Sequence, residues 1–565
     1  MITNSNKLKI YALGGFTEIA KNCFFIEYNN EIVIFNYGNY PSPNNNLGIN
    51  IKISNIKYLL KKANHIKAIF FTNMSENNIG GYRYFFSKFK TPIYASKLTI
   101  DWLKGHDVNN QIFKNINFHQ IESNKTINFN YFKITPFNLD TNMFDSYNYL
   151  IDFDNWKIFY LNDYFLNFEA TSLKPLKMLT NLEFLYQNSK PITEKQSLVI
   201  SSSSGYVNKQ FACFNSSIRE FIANIFNNHI NQKIFISVYN YDFLVIKEII
   251  HLAITKKRSL FFANNKLFQF LKFLEKNNFF SFEHLKIISN HNELDENSII
   301  LLSGKNPQIL KDILLLLYSP KILQITKSDV FVSLTRPLVG FELLGVEIYN
   351  EFIKQDITFY FLPKTCSTVY PSRYDILTVL KYINPDYFVP VSLHYNLAVE
   401  TVKRINSQNY PFKGLLVENG DCIVFDKNSA VVLEKQIDVD SLFLQSFQQK
   451  EITDNILTDR ITLLNDGLLA TSLGINFEKN QIVTNIDFQT KGIDLDILPQ
   501  SKEKIKELIK TNVNGALIQI KDNIPETDKL KILLESRNQL TKLIQKFIFT
   551  NFKKSPIIEV NFFII

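Results

Sequence analysis

The side chains that most often hold metal ions are scattered along this sequence. Its 565 residues contain eight histidines and four cysteines, with no C-x-x-C, H-x-H or H-x-x-x-H spacing. Local metal motifs use closely spaced pairs, because one loop or helix face then presents two donors together. The spacing therefore argues against a thiolate zinc motif, a disulfide framework and a local histidine site.

One polar loop lies where a ligand would be expected. The β-prone run IKAIFF is followed by TNMSENN and then by an amphipathic helical stretch. The carboxyl end of a strand and the amino end of a helix converge at such a junction, which is a common ligand position in α/β folds. The loop carries mainly amide and hydroxyl side chains, and these are poor zinc ligands compared with imidazole and thiolate.

The order of elements predicts an α/β protein with several domains, since the chain is too long for one core. Short strands and helices alternate over residues 1–205, and helices with intervening strands over 206–364 suggest an inserted α/β unit. Residues 365–438 fit a return to the first domain, and 450–565 a small α+β domain. That last domain includes a long helix from about Asp528, with Thr527 as its N-cap.

Composition restricts the class of protein. The net charge of +9 fits an anionic partner such as RNA, although a Lys- and Asn-rich coding bias also explains it. The sequence has no apolar run long enough to span a bilayer, and its first residues do not form a secretory signal. We therefore expect a cytoplasmic protein without a membrane partner.

Several segments resemble the ribonuclease J family. ALGGFTEIAKN at 12–22 is similar to that family's opening strand and turn, and IVIFNYG at 32–38 to its strand ending in Asp-x-Gly. FDSYNYLI, IFYLNDYF, INPDYFVPVSLHY and KKSPIIEV follow in the family's order. The resemblance implies a metallo-β-lactamase αββα sandwich with an inserted β-CASP domain and a C-terminal oligomerisation domain at 450–565.

The family holds two divalent metals, usually zinc, and the resemblance locates the corresponding positions in this chain. The four ligands of its His-x-His-x-Asp-His loop correspond to Asn73, Ser75, Asn77 and Asn78. Two later histidines correspond to Thr141, with Asn138 and Asp140 as alternative registers, and to Ser392. Only the bridging carboxylate is retained, as Asp163, so we expect an empty site and no cofactor.

Other family features are also altered. The Asp that supports a metal-binding histidine corresponds to Asn36. The phosphate-binding and protonating loop of the β-CASP domain corresponds to Cys366, Ser367, Thr368, Val369 and Tyr370, and an earlier phosphate loop to Asn240, Tyr241 and Asp242. Ser367 and Thr368 keep hydroxyls for phosphate, whereas Asp242 would repel it, and the phenol of Tyr370 is a poor acid at neutral pH.

Two further residues near the lost ligands are candidates. His394 lies two residues beyond Ser392, which predicts the same strand face. Glu76 could offer oxygen to a hard cation together with Asp163, but a solvated loop carboxylate is the simpler interpretation.

Three functions remain open. The leading hypothesis is a catalytically inactive, RNA-binding or scaffolding subunit that binds single-stranded RNA. It would assemble through residues 450–565 with a ribonuclease J paralogue or with itself. The alternatives are an active 5′-to-3′ exoribonuclease or endoribonuclease with an altered metal site, and a structural partner that does not contact RNA.

Overall fold

The computed structural model describes the chain except for residues 1–6, 42–48, 50, 108–110, 167–181, 208, 210, 213–214, 240–241, 280, 306–307, 319–322, 336–340, 364–365, 367–369, 446–449, 499 and 521–523. The chain divides into two compact units, residues 1–43 with 51–442 and residues 44–50 with 443–565. Separate hydrophobic clusters form the cores of the two units.

The elements up to residue 433 alternate between strands and helices. The strands are β1 (Lys9–Gly14), β2 (Cys23–Tyr28), β3 (Glu31–Phe35), β4 (Asn39–Pro41), β5 (Ile51–Ile53), β6 (Ile66–Phe70), β7 (Ile93–Ala95), β8 (Phe118–Gln120), β9 (Ile127–Asn128), β10 (Lys133–Phe137), β11 (Asn148–Phe153), β12 (Trp156–Leu161), β13 (Gln196–Ser202), β14 (Ile234–Tyr239), β15 (Ser259–Phe262), β16 (Ile287–Ile288), β17 (Ser298–Gly304), β18 (Val330–Ser333), β19 (Thr358–Phe361), β20 (Tyr387–Val391), β21 (Lys413–Gly414), β22 (Cys422–Phe425) and β23 (Ala430–Leu433). The α-helices are α1 (Lys57–Lys61), α2 (Glu76–Ile79), α3 (Tyr82–Lys88), α4 (Lys97–Gly105), α5 (Lys190–Thr193), α6 (Asn215–Asn228), α7 (Phe243–Thr255), α8 (Asn265–Lys276), α9 (Gln308–Tyr318), α10 (Glu342–Lys354), α11 (Arg373–Ile383) and α12 (Tyr395–Asn406).

Two mixed sheets form the predicted sandwich. One has the strand order β23-β22-β1-β2-β3-β6-β7-β8 and the other β21-β20-β13-β12-β11-β10-β9. Ile10 and Phe35 of the first sheet share one buried cluster with Ile151 and Ile158 of the second, so the sheets pack face to face. Residues of α11 pack against the other face of the second sheet. The predicted α/β sandwich, two mixed sheets packed face to face with a helix on an outer face, is confirmed.

A third sheet occupies the middle of the sequence. Its six strands are all parallel, in the order β16-β15-β17-β14-β18-β19. Nearly every residue of the central strands β14, β17 and β18 is buried, as expected for a parallel sheet covered by helices. Helices α9 and α10 pack on it through Ile313, Leu317, Ile348 and Phe352. The predicted boundaries of this inserted unit, 206–364, stay a prediction.

The second unit combines a mixed sheet with long helices. Its elements are β24 (Leu442–Gln445), β25 (Lys450–Glu451), α13 (Asp454–Asn465), β26 (Leu468–Asn476), β27 (Gln481–Ile482), β28 (Phe488–Lys491), α14 (Ser501–Gln519), α15 (Glu526–Phe552) and β29 (Ile557–Ile564). Strand β26 pairs antiparallel with β27 and β28 and parallel with β29. The prediction that Thr527 caps α15 is wrong. The helix begins at Glu526, so Pro525 is its N-cap residue and Thr527 lies in its first turn.

Across the described residues, no helix is both long enough and apolar enough to cross a membrane.

Candidate functional site

The loop after β6 and the short helix α2 that follows it carry four of the six expected ligand positions, and a close backbone approach fixes the course of this segment. A Cβ on Gly38 would lie 1.7 Å from the carbonyl oxygen of Asn77, so only glycine fits there. The backbone N–H of Tyr37 donates to the carbonyl of Asn78 at 2.7 Å, and that of Asn22 to the carbonyl of Asn77 at 2.9 Å. These bonds tie the loop to the segments after β1 and β3.

Three of the loop positions come together as a hydrogen-bonded group. Asn78 Nδ2 donates to Asn73 Oδ1 at 2.8 Å and to Ser75 Oγ at 2.9 Å. The backbone N–H of Ser75 donates to Asn73 Oδ1 at 3.0 Å, and Asn73 Nδ2 donates to Ser146 Oγ at 3.2 Å. Asn73 and Asn78 are almost fully buried. Their amides therefore satisfy one another where a metal-binding loop would present imidazoles.

Asn22 links this group to two other parts of the site. Its Nδ2 donates to Asn78 Oδ1 at 2.8 Å and to Asn162 Oδ1 at 3.3 Å. Its Oδ1 accepts a longer hydrogen bond of 3.4 Å from Ser392 Oγ, the position of the last lost histidine. We call the set Asn22, Asn73, Ser75, Asn78 and Ser146 the amide cluster.

Asn36 forms hydrogen bonds with the start of the same loop and with β12. It adopts a left-handed backbone with φ of 60°, a conformation that Asn tolerates better than most residues. Its Oδ1 accepts from the backbone N–H of Thr72 at 3.0 Å, and its Nδ2 donates to the Tyr160 hydroxyl at 2.9 Å. That hydroxyl donates to Asn162 Oδ1 at 2.8 Å, so a continuous chain of neutral groups runs beneath the loop.

Three of the six expected ligand positions stay outside the amide cluster, and one of them, Ser392, contacts it only through Asn22. Asn77 has an exposed side chain on α2. Thr141 is half-buried, and its Oγ1 accepts a hydrogen bond of 3.0 Å from the backbone N–H of Met143.

The expectations for His394 and Glu76 are wrong. Strand β20 ends at Val391, and Ser392 has φ of 60°, so the alternation that would align His394 with Ser392 does not continue. His394 instead precedes α12 as its half-buried N-cap residue. The Glu76 carboxylate is paired with the Lys305 ammonium rather than simply solvated.

The residues at the former ligand positions do not fit a divalent metal. Zinc prefers imidazole nitrogen and thiolate, and magnesium prefers carboxylate and water oxygens. Here the amide oxygens of Asn73 and Asn78 already accept N–H groups, so they face donors instead of a cation. Within the part of the chain that the structure describes, no three His, Cys, Asp or Glu side chains group together as a metal centre.

Asp163, the one retained ligand position, is left without compensation. Its Oδ1 is buried and accepts no hydrogen bond, and burial raises the pKa of the carboxyl group to about 7. A hydrogen bond from the backbone of Tyr164 lowers that pKa only in part. The neighbouring Asn148 amide also has a buried Nδ2 without a partner.

A second carboxyl group with a raised pKa, that of Asp242, is linked to Asp163 through a shared neighbour, Tyr370. Burial raises the pKa of Asp242 to about 6, against the effect of a 3.2 Å hydrogen bond from Asn142 Nδ2. Both Asp242 and Asp163 act on the phenol of Tyr370, whose pKa is raised first by desolvation and then by their charges. A raised pKa makes Tyr370 a still weaker acid, and two carboxylates oppose a phosphate at this point. We call Asp163 and Asp242 the carboxylate pair.

Of the remaining positions in the two expected phosphate loops, the structure describes only Cys366. Ser367, Thr368, Val369, Asn240 and Tyr241 lie outside the described residues. Cys366 is buried, and its backbone N–H donates to the carbonyl of Pro363 at 3.0 Å.

Sequence reasoning missed the residues that complete the hydrogen-bond network: Asn22, Ser146, Tyr160 and Asn162. Asn22 ends the ALGGFTEIAKN segment, and Asn162 directly precedes Asp163, so their positions beside recognised segments were the available signal. Their partners are up to 370 residues away along the chain, which no local pattern reveals.

Comparison with curated proteins finds full-length relatives. Ribonuclease J 2 of Staphylococcus aureus is 23% identical over 584 residues, covering 99% of this chain and 98% of that protein. Ribonuclease J 2 of Staphylococcus saprophyticus is 22% identical with the same coverage of both chains. An uncharacterised protein of Mycoplasma genitalium is 21% identical over 97% of each chain. No family model matches the sequence.

Solved structures with similar folds are more distant. A protein of unknown function from Enterococcus faecalis has a TM-score of 0.49 at 12% identity, covering 74% of this chain and all of that one. The metallo-β-lactamase fold protein YhfI of Bacillus subtilis has a TM-score of 0.25 at 12% identity, covering 36% of this chain and 74% of that one.

Proposed function

We propose that this chain, which belongs to the ribonuclease J-like proteins, acts in RNA processing or decay as a subunit without catalytic activity. Its role would be to bind single-stranded RNA or to support a catalytic partner, in the cytoplasm. The full-length similarity to Ribonuclease J 2 proteins supports the link to RNA processing.

The observation that carries the proposed inactivity is the mutual hydrogen bonding of Asn73, Ser75 and Asn78. Two-metal hydrolases need several anionic or imidazole donors to lower the pKa of a bound water and to neutralise the phosphodiester. A structural multi-ligand zinc site contributes about 10–16 kcal/mol of apparent binding free energy at neutral pH. Asp163 alone cannot replace that donor set.

The proposed RNA binding is supported by other features than the proposed inactivity. The net charge of +9 favours a polyanion, and the hydroxyls of Ser367 and Thr368 could contact phosphate. The carboxylate pair opposes a phosphate near Tyr370, so contacts there would be weak. The same pair supports the second candidate function, a structural partner that does not contact RNA.

The proposed assembly uses residues 450–565. Among the described strands, β29 pairs only with β26, and its Phe563 and Ile564 side chains are about half exposed. An apolar strand with an unpaired edge favours association with another chain. A ribonuclease J paralogue or a second copy would provide the partner, and truncation after about residue 448 should abolish this contact.

Metal analysis and RNA cleavage test the proposed inactivity. The purified chain should contain well below one zinc or manganese ion and should not cleave RNA in the presence of either metal. The variant Asn73→His, Ser75→His, Asn77→Asp and Asn78→His should also stay inactive, because Thr141 and Ser392 still lack donors. Close to two metals per chain, or metal-dependent cleavage, would contradict the proposal.

Salt-dependent RNA affinity separates the two non-catalytic functions. Each neutralised phosphate of a single strand contributes a slope of roughly −0.7 in log affinity against log salt. A measurable negative slope supports the RNA-binding subunit, whereas no binding at low salt supports the structural partner.

A further inference from the structure

Helices α3 and α4 and the segment that precedes β8 meet at a surface with exposed basic side chains. Residues 82–119 contain six Lys and Arg but only two Asp and Glu. Both acids already have partners: Asp101 pairs with Lys97 at 2.8 Å, and the buried Asp107 accepts the backbone N–H groups of residues 111–113. The surface therefore carries a local excess of positive charge.

Three contacts bring the basic side chains to one place. Arg83 Nη2 of α3 donates to the carbonyl of His106, directly after α4, at 2.7 Å. Lys104 Nζ lies 4.8 Å from the centre of the Phe118 ring in β8. Lys90 Nζ donates to a backbone carbonyl of the segment before β8 at 3.4 Å. These cations can therefore contact one extended anion.

An aromatic pair lies among these cations. The imidazole of His106 stacks on the indole of Trp102, with ring centres 3.9 Å apart and an angle of 22° between the planes. His106 is exposed, whereas Trp102 is half-buried and packs edge to face on Tyr82. His106 Nδ1 donates to the Trp102 carbonyl at 2.9 Å, which holds the imidazole in this orientation. We call this surface the α4 patch; its members are Arg83, Lys90, Trp102, Lys104 and His106.

We propose that the α4 patch binds single-stranded RNA, with a base stacked on His106 and phosphates beside the three cations. Proteins that bind single strands without sequence preference combine rings that stack on bases with cations that follow the backbone. The imidazole is exposed and is already held by a second ring, so a base can stack on it without reordering the side chain. This inference rests on the RNA-binding form of the proposed function and adds a contact outside the cleft.

The stacked pair favours a single strand over other anionic partners. The bases of a duplex already stack and pair with one another, so they are not available to an exposed ring. A membrane surface offers phosphates but no flat ring for the imidazole. The partner that uses both the charge and the ring is therefore an unpaired strand.

The other end of α4 lies beside the amide cluster. The backbone N–H of Leu98 donates to Asp145 Oδ2 at 3.1 Å, and Ser146 follows in the chain. Leu98 and His106 are about 12 Å apart along the helix axis. A strand bound at the α4 patch can therefore continue along α4 toward the cleft.

Fluorescence anisotropy with an oligouridylate of about ten nucleotides and the full-length chain at low salt tests the proposal. His106→Ala should weaken binding by about fivefold or more, because it removes the ring on which a base stacks. His106→Phe should bind within about twofold of wild type, since a ring remains. Both variants lose the hydrogen bond to the Trp102 carbonyl, so that bond cannot explain a difference between them.

Lys104→Gln tests the ionic part of the contact. Loss of one phosphate contact should reduce the slope of log affinity against log salt by roughly 0.7. Lys381→Gln is the matched control and should leave affinity and slope unchanged, because this exposed lysine belongs to α11 on the second sheet. Binding at the α4 patch should also quench the fluorescence of Trp102, whereas Trp156 is only 2% exposed and out of reach of a base.

The outcomes separate this proposal from the proposed function. A wild-type chain that does not bind the strand at low salt would overturn both. Binding that leaves the fluorescence unchanged and that neither His106→Ala nor Lys104→Gln weakens would overturn the α4 patch alone. A response to Lys104→Gln but not to His106→Ala, with duplex RNA or phosphatidylserine vesicles bound as tightly, would show selection by charge only and would overturn the stacked strand.

Discussion

The amide cluster and the carboxylate pair differ in how their buried polar groups are compensated. In the amide cluster, the buried oxygens of Asn73 and Asn78 accept hydrogen bonds from neighbouring donors. In the carboxylate pair, Asp163 keeps a buried oxygen without a partner, and the pKa values of both acids are raised. Neutral groups can pair with one another, whereas a carboxylate that loses water without gaining enough donors has a raised pKa. The amide cluster therefore acts as a structural cross-link, whereas the two carboxylates destabilise the folded state when they are ionised.

Removing the Asn78 side chain should break the amide cluster and have the largest effect. Asn78→Ala deletes two donated bonds and one accepted bond and leaves the partner groups of Asn22 and Asn73 buried. We expect the free energy of unfolding to fall by about 2–3 kcal/mol. Denaturation followed by tryptophan fluorescence measures this, since both tryptophans, Trp102 and Trp156, belong to the first unit.

Asn77→Ala is the control for that measurement. Asn77 has the same side chain one position earlier, but it is exposed, so its loss should change stability by less than about 0.5 kcal/mol. Equal effects of the two substitutions would show that the amide cluster contributes no particular stability.

Neutralising Asp163 should have the opposite sign and a smaller effect. The pKa of this carboxyl group is about 7 in the folded chain and 3.8 as its ordinary value. A raised acid pKa means that folding binds a proton, so stability is lost as pH rises from about 4 to 7 and then levels off. The shift corresponds to about 4 kcal/mol, but an asparagine keeps a polar side chain buried at this position, so Asp163→Asn should recover only part of it, about 1–2 kcal/mol at pH 8 and nearly nothing at pH 4.

The pH dependence of that difference is the decisive measurement. A stability gain that is equal at pH 4 and pH 8 would mean that packing, not charge, limits the folded state at Asp163. A loss of stability at pH 8 would mean that the carboxylate has a favourable partner.

The sequence predicts the strands of the sandwich well, because each strand is marked by a local apolar run and such runs recur along the chain. The strand runs IKAIFF and IVIF are mostly apolar, as buried strands are, and they appear as β6 and β3. The resemblance also identifies the loop that carries Asn73, Ser75 and Asn78. The resemblance cannot show which groups form hydrogen bonds with these residues. Asn22 lies 56 residues from Asn78, and Ser146 lies 73 residues from Asn73.

Charge pairing is equally invisible in the sequence. The Glu76 carboxylate pairs with Lys305, 229 residues away, and this contact joins the ligand loop to the end of β17. The prediction for His394 is wrong for a local reason. Ser392 has a positive φ, and this ends the strand alternation on which the prediction depended. Backbone exceptions of this kind are rare for serine, so sequence alone gives little warning of them.

The smallest expected effect tests whether RNA enters the cleft at all. Asp242→Asn keeps a side chain of the same shape, and its amide oxygen can still accept the hydrogen bond from Asn142. The substitution removes one negative charge, and a unit charge about 8 Å from a phosphate in water is worth about 0.5 kcal/mol. Affinity for single-stranded RNA at low salt should therefore rise about twofold, and more if the cleft excludes water. Asn142→Ala, which leaves the charge in place, should not raise it. Unchanged affinity in the Asp242→Asn variant would mean that RNA binds away from the carboxylate pair or not at all, and that the cleft has kept its shape for assembly alone.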